Sequence, residues 1–136
     1  MIVVDSSAVV AMIFIEPDAD KLAKRLAKEP PGERLISAMN YVEARTVLAG
    51  RRADDPLKGV ADLDAFLSNF EITCAAIDEQ IARLAMQARI RFGKGFRTTG
   101  KLNLGDCFAY ALAKAHDAPL LYIGDDFRGT DVRSAL

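Results

Sequence analysis

Met1-Ile2-Val3-Val4-Asp5-Ser6-Ser7-Ala8-Val9-Val10-Ala11-Met12-Ile13-Phe14-Ile15 joins two kinds of structure at one acid. Met1 to Val4 is a short β-branched strand that stops at Asp5, and Ser6 or Ser7 can cap a helix through Ile15. The alternation repeats outward from there. Pro17 restarts a helix near its first position, and Ala19, Leu22, Ala23 and Leu26 form its apolar stripe before Pro30-Pro31-Gly32. Arg34 to Ile36 is a buried strand, Ser37 caps a helix to about Ala49, and Gly50 stands where a left-handed C-terminal residue is favoured. Asp55-Pro56 opens a helix carrying Leu57, Val60, Leu63, Phe66 and Leu67, and Phe70 to Cys74 is a weak strand. Asp78 starts a helix that stops near Gly93. Lys94 to Lys101 lacks aliphatic side chains and reads as an exposed loop, Asn103 caps a helix to about Ala115, and Leu120 to Ile123 is the last strand. Strands separated by helices predict an α/β fold, a three-layer α/β/α arrangement around a central parallel sheet. Right-handed crossovers then bring the strand C-termini to one edge, where ligands bind in open α/β sheets.

The 136 residues fit one domain, 1–136, of about 150 residues or fewer. A chain this long buries about 68% of its unfolded surface, enough for a core without disulfides. A hydrophobic fraction of 51% with 27% charged residues excludes a disordered chain. The net charge of −1 argues against a generally basic nucleic-acid binder, but not against a local basic stripe. Ala8 to Ile15, the longest apolar run, is too short to span a bilayer, and Asp5 stands where a signal peptide would carry a cation. Cys74 and Cys107 form no CxxC, and His116 is the only histidine. A disulfide framework and a Cys/His zinc site are excluded, and reduced thiols fit the cytoplasm. Cys107 is expected as a small buried thiol, and Tyr41, Tyr110 and Tyr122 as core or interface residues.

The acids are the informative residues. Asp5 ends the first strand, and Gly124-Asp125-Asp126 follows the last. Glu43 lies on a largely uncharged helix stripe with Met39, Thr46 and Val47, and Asp106 lies in the first turn of its helix. Each has a purely structural reading: Asp5 as a helix cap, Asp106 as half of a capping box with Asn103, Glu43 as a solvated residue, and Asp125-Asp126 as a turn. Together they predict one pocket, because both strand-end acids point to the same sheet edge. Four carboxylates in contact repel and raise one another's pKa unless cations compensate. Oxygen ligands without Cys or His select Mg²⁺ or Mn²⁺, and a water activated by such an ion is the natural nucleophile. That chemistry is phosphodiester hydrolysis.

Arg83, Arg89, Arg91, Lys94, Arg97 and Lys101 lie in a stretch with no acidic residue, leading into the helix of Asp106. Such a stripe can hold a phosphate backbone beside an acidic pocket, and is otherwise a solvated helix face and loop. Phe96 could stack a base, whereas Phe92 belongs to the core.

These residues resemble the PIN-domain ribonuclease toxins of bacterial VapBC toxin–antitoxin modules. The likeness spans nearly the whole chain. It rests on Met1 to Ala8, Ser37 to Glu43, Arg91-Phe-Gly-Lys-Gly, Leu102-Asn-Leu-Gly-Asp-Cys-Phe-Ala-Tyr-Ala-Leu-Ala, Pro119-Leu-Leu-Tyr-Ile-Gly-Asp-Asp-Phe and Thr130-Asp131-Val132. The resemblance implies a Mg²⁺- or Mn²⁺-dependent endoribonuclease, the toxin of a type II module. It puts Asp5, Glu43, Asp106 and Asp126 in both the catalytic and the metal-binding roles, with Asp125 as the fallback for the fourth acid. Ser6 matches the small hydroxyl residue after the first Asp, and Ser6, Arg91, Lys94, Arg97 and Lys101 are candidate RNA contacts. After Gly95 this chain has Phe96-Arg97-Thr98-Thr99 where the family more often has a basic residue and His. The implied partners are RNA, a VapB-like antitoxin whose C-terminal segment covers the site, and a second copy in a homodimer, with no membrane.

The competing reading is a non-catalytic receiver-like or protein-binding α/β module with an acidic metal pocket. Receivers pair acids after strand one and place a Lys at a late strand end, whereas Asp5 is followed by Ser6-Ser7 and Leu121 to Gly124 has no Lys.

Overall fold

The computed structural model describes residues 1–96 and 99–136. In chain order the elements are β1 (Ile2–Val4), α1 (Ser6–Ile13), α2 (Ala19–Leu26), β2 (Arg34–Ser37), α3 (Ala38–Arg51), α4 (Pro56–Asn69), β3 (Thr73–Ala75), α5 (Glu79–Phe92), α6 (Leu104–Ala115) and β4 (Leu120–Leu121). The four strands are parallel in the order β3-β2-β1-β4. Side chains alternate across the sheet. Ile2, Val4, Ile36 and Leu121 pack against α1 to α4, whereas Val3, Leu35 and Leu120 pack against α5 and α6. The three layers of the expected α/β/α fold are therefore present. Right-handedness explains the division of helices: β1, β2 and β3 step one way across the sheet, and the return to β4 reverses direction and face. The reversal leaves a crevice beyond the C-terminal ends of β1 and β4.

Several boundaries differ from the sequence expectation, each for a local reason. Helix α1 ends at Ile13, because Ile15 turns left-handed at φ 51° and closes a Schellman motif. In that motif Glu16 N–H donates to Ala11 at 2.9 Å and Ile15 N–H to Met12 at 3.3 Å. The same motif at Glu71 ends α4, so β3 starts at Thr73 rather than Phe70. Pro17 precedes α2 instead of lying in its first turn. Gly50 lies within α3, which continues to Arg51 and is capped by Arg52. Asp5 itself, rather than Ser6 or Ser7, caps α1. Ser37, Asp55, Asp78 and Asn103 cap their helices as expected. Among the described residues, no helix is long and apolar enough to cross a membrane.

Candidate active site

Asp5 leaves β1 into the crevice and is only 2% exposed. Its Oδ2 accepts from Ser7 N–H at 2.9 Å and from the Ser7 hydroxyl at 2.6 Å. The Ser7 oxygen in turn accepts from Ile123 N–H at 3.2 Å, tying the end of β4 to the start of α1. Asn40, fully buried on α3, is the hub of the site. Its Nδ2 donates to Asp5 Oδ1 at 3.1 Å, Glu43 Oε2 at 3.1 Å and the Gly105 carbonyl at 3.2 Å. Ser37 fixes that amide from the other side through a short hydrogen bond to Asn40 Oδ1. Two amide hydrogens shared among three acceptors join β1, α3 and α6 at one point.

Glu43 is half-buried, and its Oε2 also accepts from the Ser6 hydroxyl at 3.1 Å. Its carboxylate lies directly on the Gly105 backbone, where any Cβ would overlap it. A side chain at position 105 would displace the Glu43 carboxylate, the far end of a flexible side chain. Asp106 forms the capping box: its N–H donates to Asn103 Oδ1 at 2.9 Å and its Oδ2 accepts from Asn103 N–H at 2.9 Å. The structural readings of Asp5 and Asp106 as caps thus hold alongside their position in the site. Asp5, Ser6, Glu43, Asn103, Asp106 and Asp126 line one cavity of about 320 Å³. Asp125 does not line it; its carboxylate pairs with Lys101 at 2.6 Å.

The acids sense one another. Burial raises the Asp106 pKa to about 7, with Asp5, Asp126 and Glu43 adding to the rise and the Asn103 N–H opposing it. Burial also raises Asp5, against its Ser7 hydrogen bonds and helped by Asp126. Burial and then the Asp5 charge raise Glu43, against Ser6 and Asn40. Among the described residues the one cation lining the cavity, Arg51, is engaged with Glu16, another lining residue, at 3.2 Å.

An all-oxygen donor set with uncompensated charge fits a hard divalent cation. Among the described residues, no three acidic, His or Cys side chains are already gathered tightly enough to hold one. The reason is visible in the hydrogen bonds: Asp5, Glu43 and Asp106 are each held by protein donors.

The basic stretch is dispersed. Arg83 pairs with Glu79 on the exposed face of α5 at 2.5 Å, and Arg89 donates to the Leu102 carbonyl at 3.4 Å with its guanidinium 5.4 Å from the Phe96 ring. Arg91 and Lys101 line a second cleft, and Lys94 is exposed. Arg97 lies outside the described residues. Phe92 packs partly buried on the core, Cys107 is buried, and Cys74 is exposed.

A family model described as PIN domain matches residues 2–132. The chain belongs to the PIN-domain family. Its PIN domain is 41% identical over 130 residues to the ribonuclease VapC of Mycolicibacterium smegmatis, covering 96% of each chain. It is 38% identical over 133 residues to ribonuclease VapC42 of Mycobacterium tuberculosis, covering 98% of each. Among solved structures, the PIN fold matches VapBC-1 of nontypeable Haemophilus influenzae with a TM-score of 0.73 and 19% identity, over 98% of this chain and 96% of that one. It matches the Sarcin-Ricin loop cleaving toxin VapC20 of Mycobacterium tuberculosis with a TM-score of 0.71 and 18% identity, over 97% and 96%.

Sequence reasoning missed Asn40, Ser7 and Gly105. The spacing Ser37, Asn40, Glu43 puts three polar side chains on one helix face, which was the available signal for Asn40.

Proposed function

We propose that this PIN domain is an endoribonuclease and the toxin of a type II toxin–antitoxin module, acting in the cytoplasm on RNA phosphodiesters. The observation that carries the reading is the convergence of Asp5, Glu43, Asp106 and Asp126 from four distant segments on one cavity. The names of its relatives, ribonucleases VapC, support RNA as the substrate. The solved toxin–antitoxin complexes that share the fold support a VapB-like antitoxin as partner, and a homodimer completes the proposed assembly.

The four carboxylates are the residues that would hold Mg²⁺ or Mn²⁺. When bound, the ion supplies Lewis-acid activation and neutralises charge on the phosphate. Asn40 and Ser7 fix Asp5, and Ser6 with Asn40 occupies Glu43 Oε2. Among the described residues, Glu43 Oε1 is the oxygen left to orient a water. The water oxygen forms a bond to phosphorus, its proton passes to Glu43, the bond to the 3′-oxygen breaks, and that oxygen leaves to be protonated. Products therefore carry 5′-phosphate and 3′-hydroxyl ends. Recombinant chain is expected to give such ends with Mg²⁺ or Mn²⁺ and no cleavage in EDTA; 2′,3′-cyclic phosphate ends or EDTA-resistant cleavage would overturn the mechanism.

The fourth acid is testable in the same assay. Asp126→Asn is expected to lose about 10²-fold or more in rate, whereas Asp125→Asn keeps the wild-type rate within a small factor. The reverse order would assign the role to Asp125.

A further inference from the structure

A second cleft, of about 200 Å³, is lined by chain neighbours of residues in the acid cavity, Arg128 beside Phe127 and Lys101 two residues before Asn103, and has the opposite charge. Arg91 from α5, Lys101 from the segment entering α6 and Arg128 from the turn after β4 all line it, and among the described residues no acidic one does. Gly100 and Gly129 bring backbone into the same cleft, the first pressed on the Phe92 carbonyl where a Cβ has no room. The Arg91 guanidinium lies 4.6 Å from the Phe92 ring centre. Lys101 is paired at 2.6 Å with the Asp125 carboxylate. Three cations converging from three segments repel unless an anion joins them, the same logic that gathers cations among the acids.

We propose that the Arg91–Lys101–Arg128 cleft binds a backbone phosphate of the RNA next to the scissile one, with Lys101 exchanging Asp125 for that phosphate. The proposal rests on the ribonuclease reading above. Continuity favours RNA over an acidic peptide: Lys101 lies two residues before Asn103, and Asp125 is adjacent to Asp126, so one strand of alternating phosphates can reach both cavities. Its phosphates would bring a chain of negative charge past a pocket that otherwise repels it. Asp125 then acts as a competing anion that keeps Lys101 in place until substrate arrives. The ion pair is surface-exposed, with the two side chains 52% and 54% exposed, so exchange is inexpensive.

The test uses the full chain carrying Asp106→Asn, so that binding is read without cleavage, and a fluorescein-labelled single-stranded RNA of mixed sequence. Adding Arg128→Ala or Lys101→Ala is expected to weaken binding about three- to tenfold. Each also lowers the slope of log affinity against log salt by about 0.7. Adding Asp125→Asn is expected to tighten binding, and Arg83→Ala, whose side chain lies outside the cleft, leaves it unchanged. Unchanged affinity and slope in the Arg128 and Lys101 variants would overturn the proposal. So would capture of a labelled poly-glutamate peptide through these residues in place of RNA, or displacement of the RNA by inorganic phosphate at equal phosphate concentration. Cleavage by the wild-type chain is measured in parallel. Its absence would remove the ribonuclease reading, while the binding series reads the cleft independently.

Discussion

Asp106→Asn is expected to reduce RNA cleavage by about 10³-fold while leaving the fold intact. The two halves of this expectation have separate physical origins. The fold survives because the amide oxygen can still accept from Asn103 N–H, and the Asp106 N–H still donates to Asn103 Oδ1, so the capping box persists. Activity is lost because Asp106, one of the four carboxylates proposed to hold the ion, becomes a neutral amide. Unfolding curves and single-turnover cleavage, measured side by side, separate the two. Near-normal cleavage would remove Asp106 from the site.

In EDTA, stability is expected to fall as pH rises from about 4 to about 7, by a few kcal/mol. The sign follows from the carboxyls. Asp106 titrates near 7 in the folded chain against 3.8 for an ordinary Asp, and Asp5 and Glu43 are raised as well. Between those values the folded chain holds more protons than the unfolded one, so its advantage is complete at the acid end and is lost as pH rises through the folded pKa. Glu29, Asp125 and Asp131 are shifted downward and act in the opposite sense, but they lie near the surface in ion pairs of small worth. Urea titrations across this range check the slope. Asp106→Asn should flatten it and raise the metal-free stability at pH 8. Mg²⁺ or Mn²⁺ at pH 8 should restore stability to the unsubstituted chain in proportion to the logarithm of ion concentration. A flat profile that ignores both ions would show that the acids do not share one field.

Both expectations describe a site that is costly when empty. Burial of the carboxylates, with their mutual repulsion, destabilises the metal-free fold, and the Asn40 amide offsets part of it by bridging Asp5, Glu43 and Gly105. Removing that bridge would leave buried acceptors without a donor.

Much of this was legible from residues alone. The β-branched run before Asp5, the caps at Ser37, Asp55, Asp78 and Asn103, and the apolar stripes of the helices are local signals, and the chain follows them. Where local signals misled, backbone closure was responsible: Ile15 and Glu71 adopt left-handed conformations that favour glycine, so α1 stops early and β3 starts late.

The sequence by itself determined the α/β class and which acids stand at strand ends and in a helix's first turn, because these depend on periodicity and capping. Only the tertiary structure decided that Asp126 lines the acid cavity while Asp125 turns to Lys101, that Asn40 ties three elements together, and that Arg128 joins Arg91 and Lys101. Those are contacts between segments far apart in the chain, as Asn40 and Gly105 are at a separation of 65 residues. Their geometry is set by how the sheet reverses direction at β4, which no local run of residues encodes.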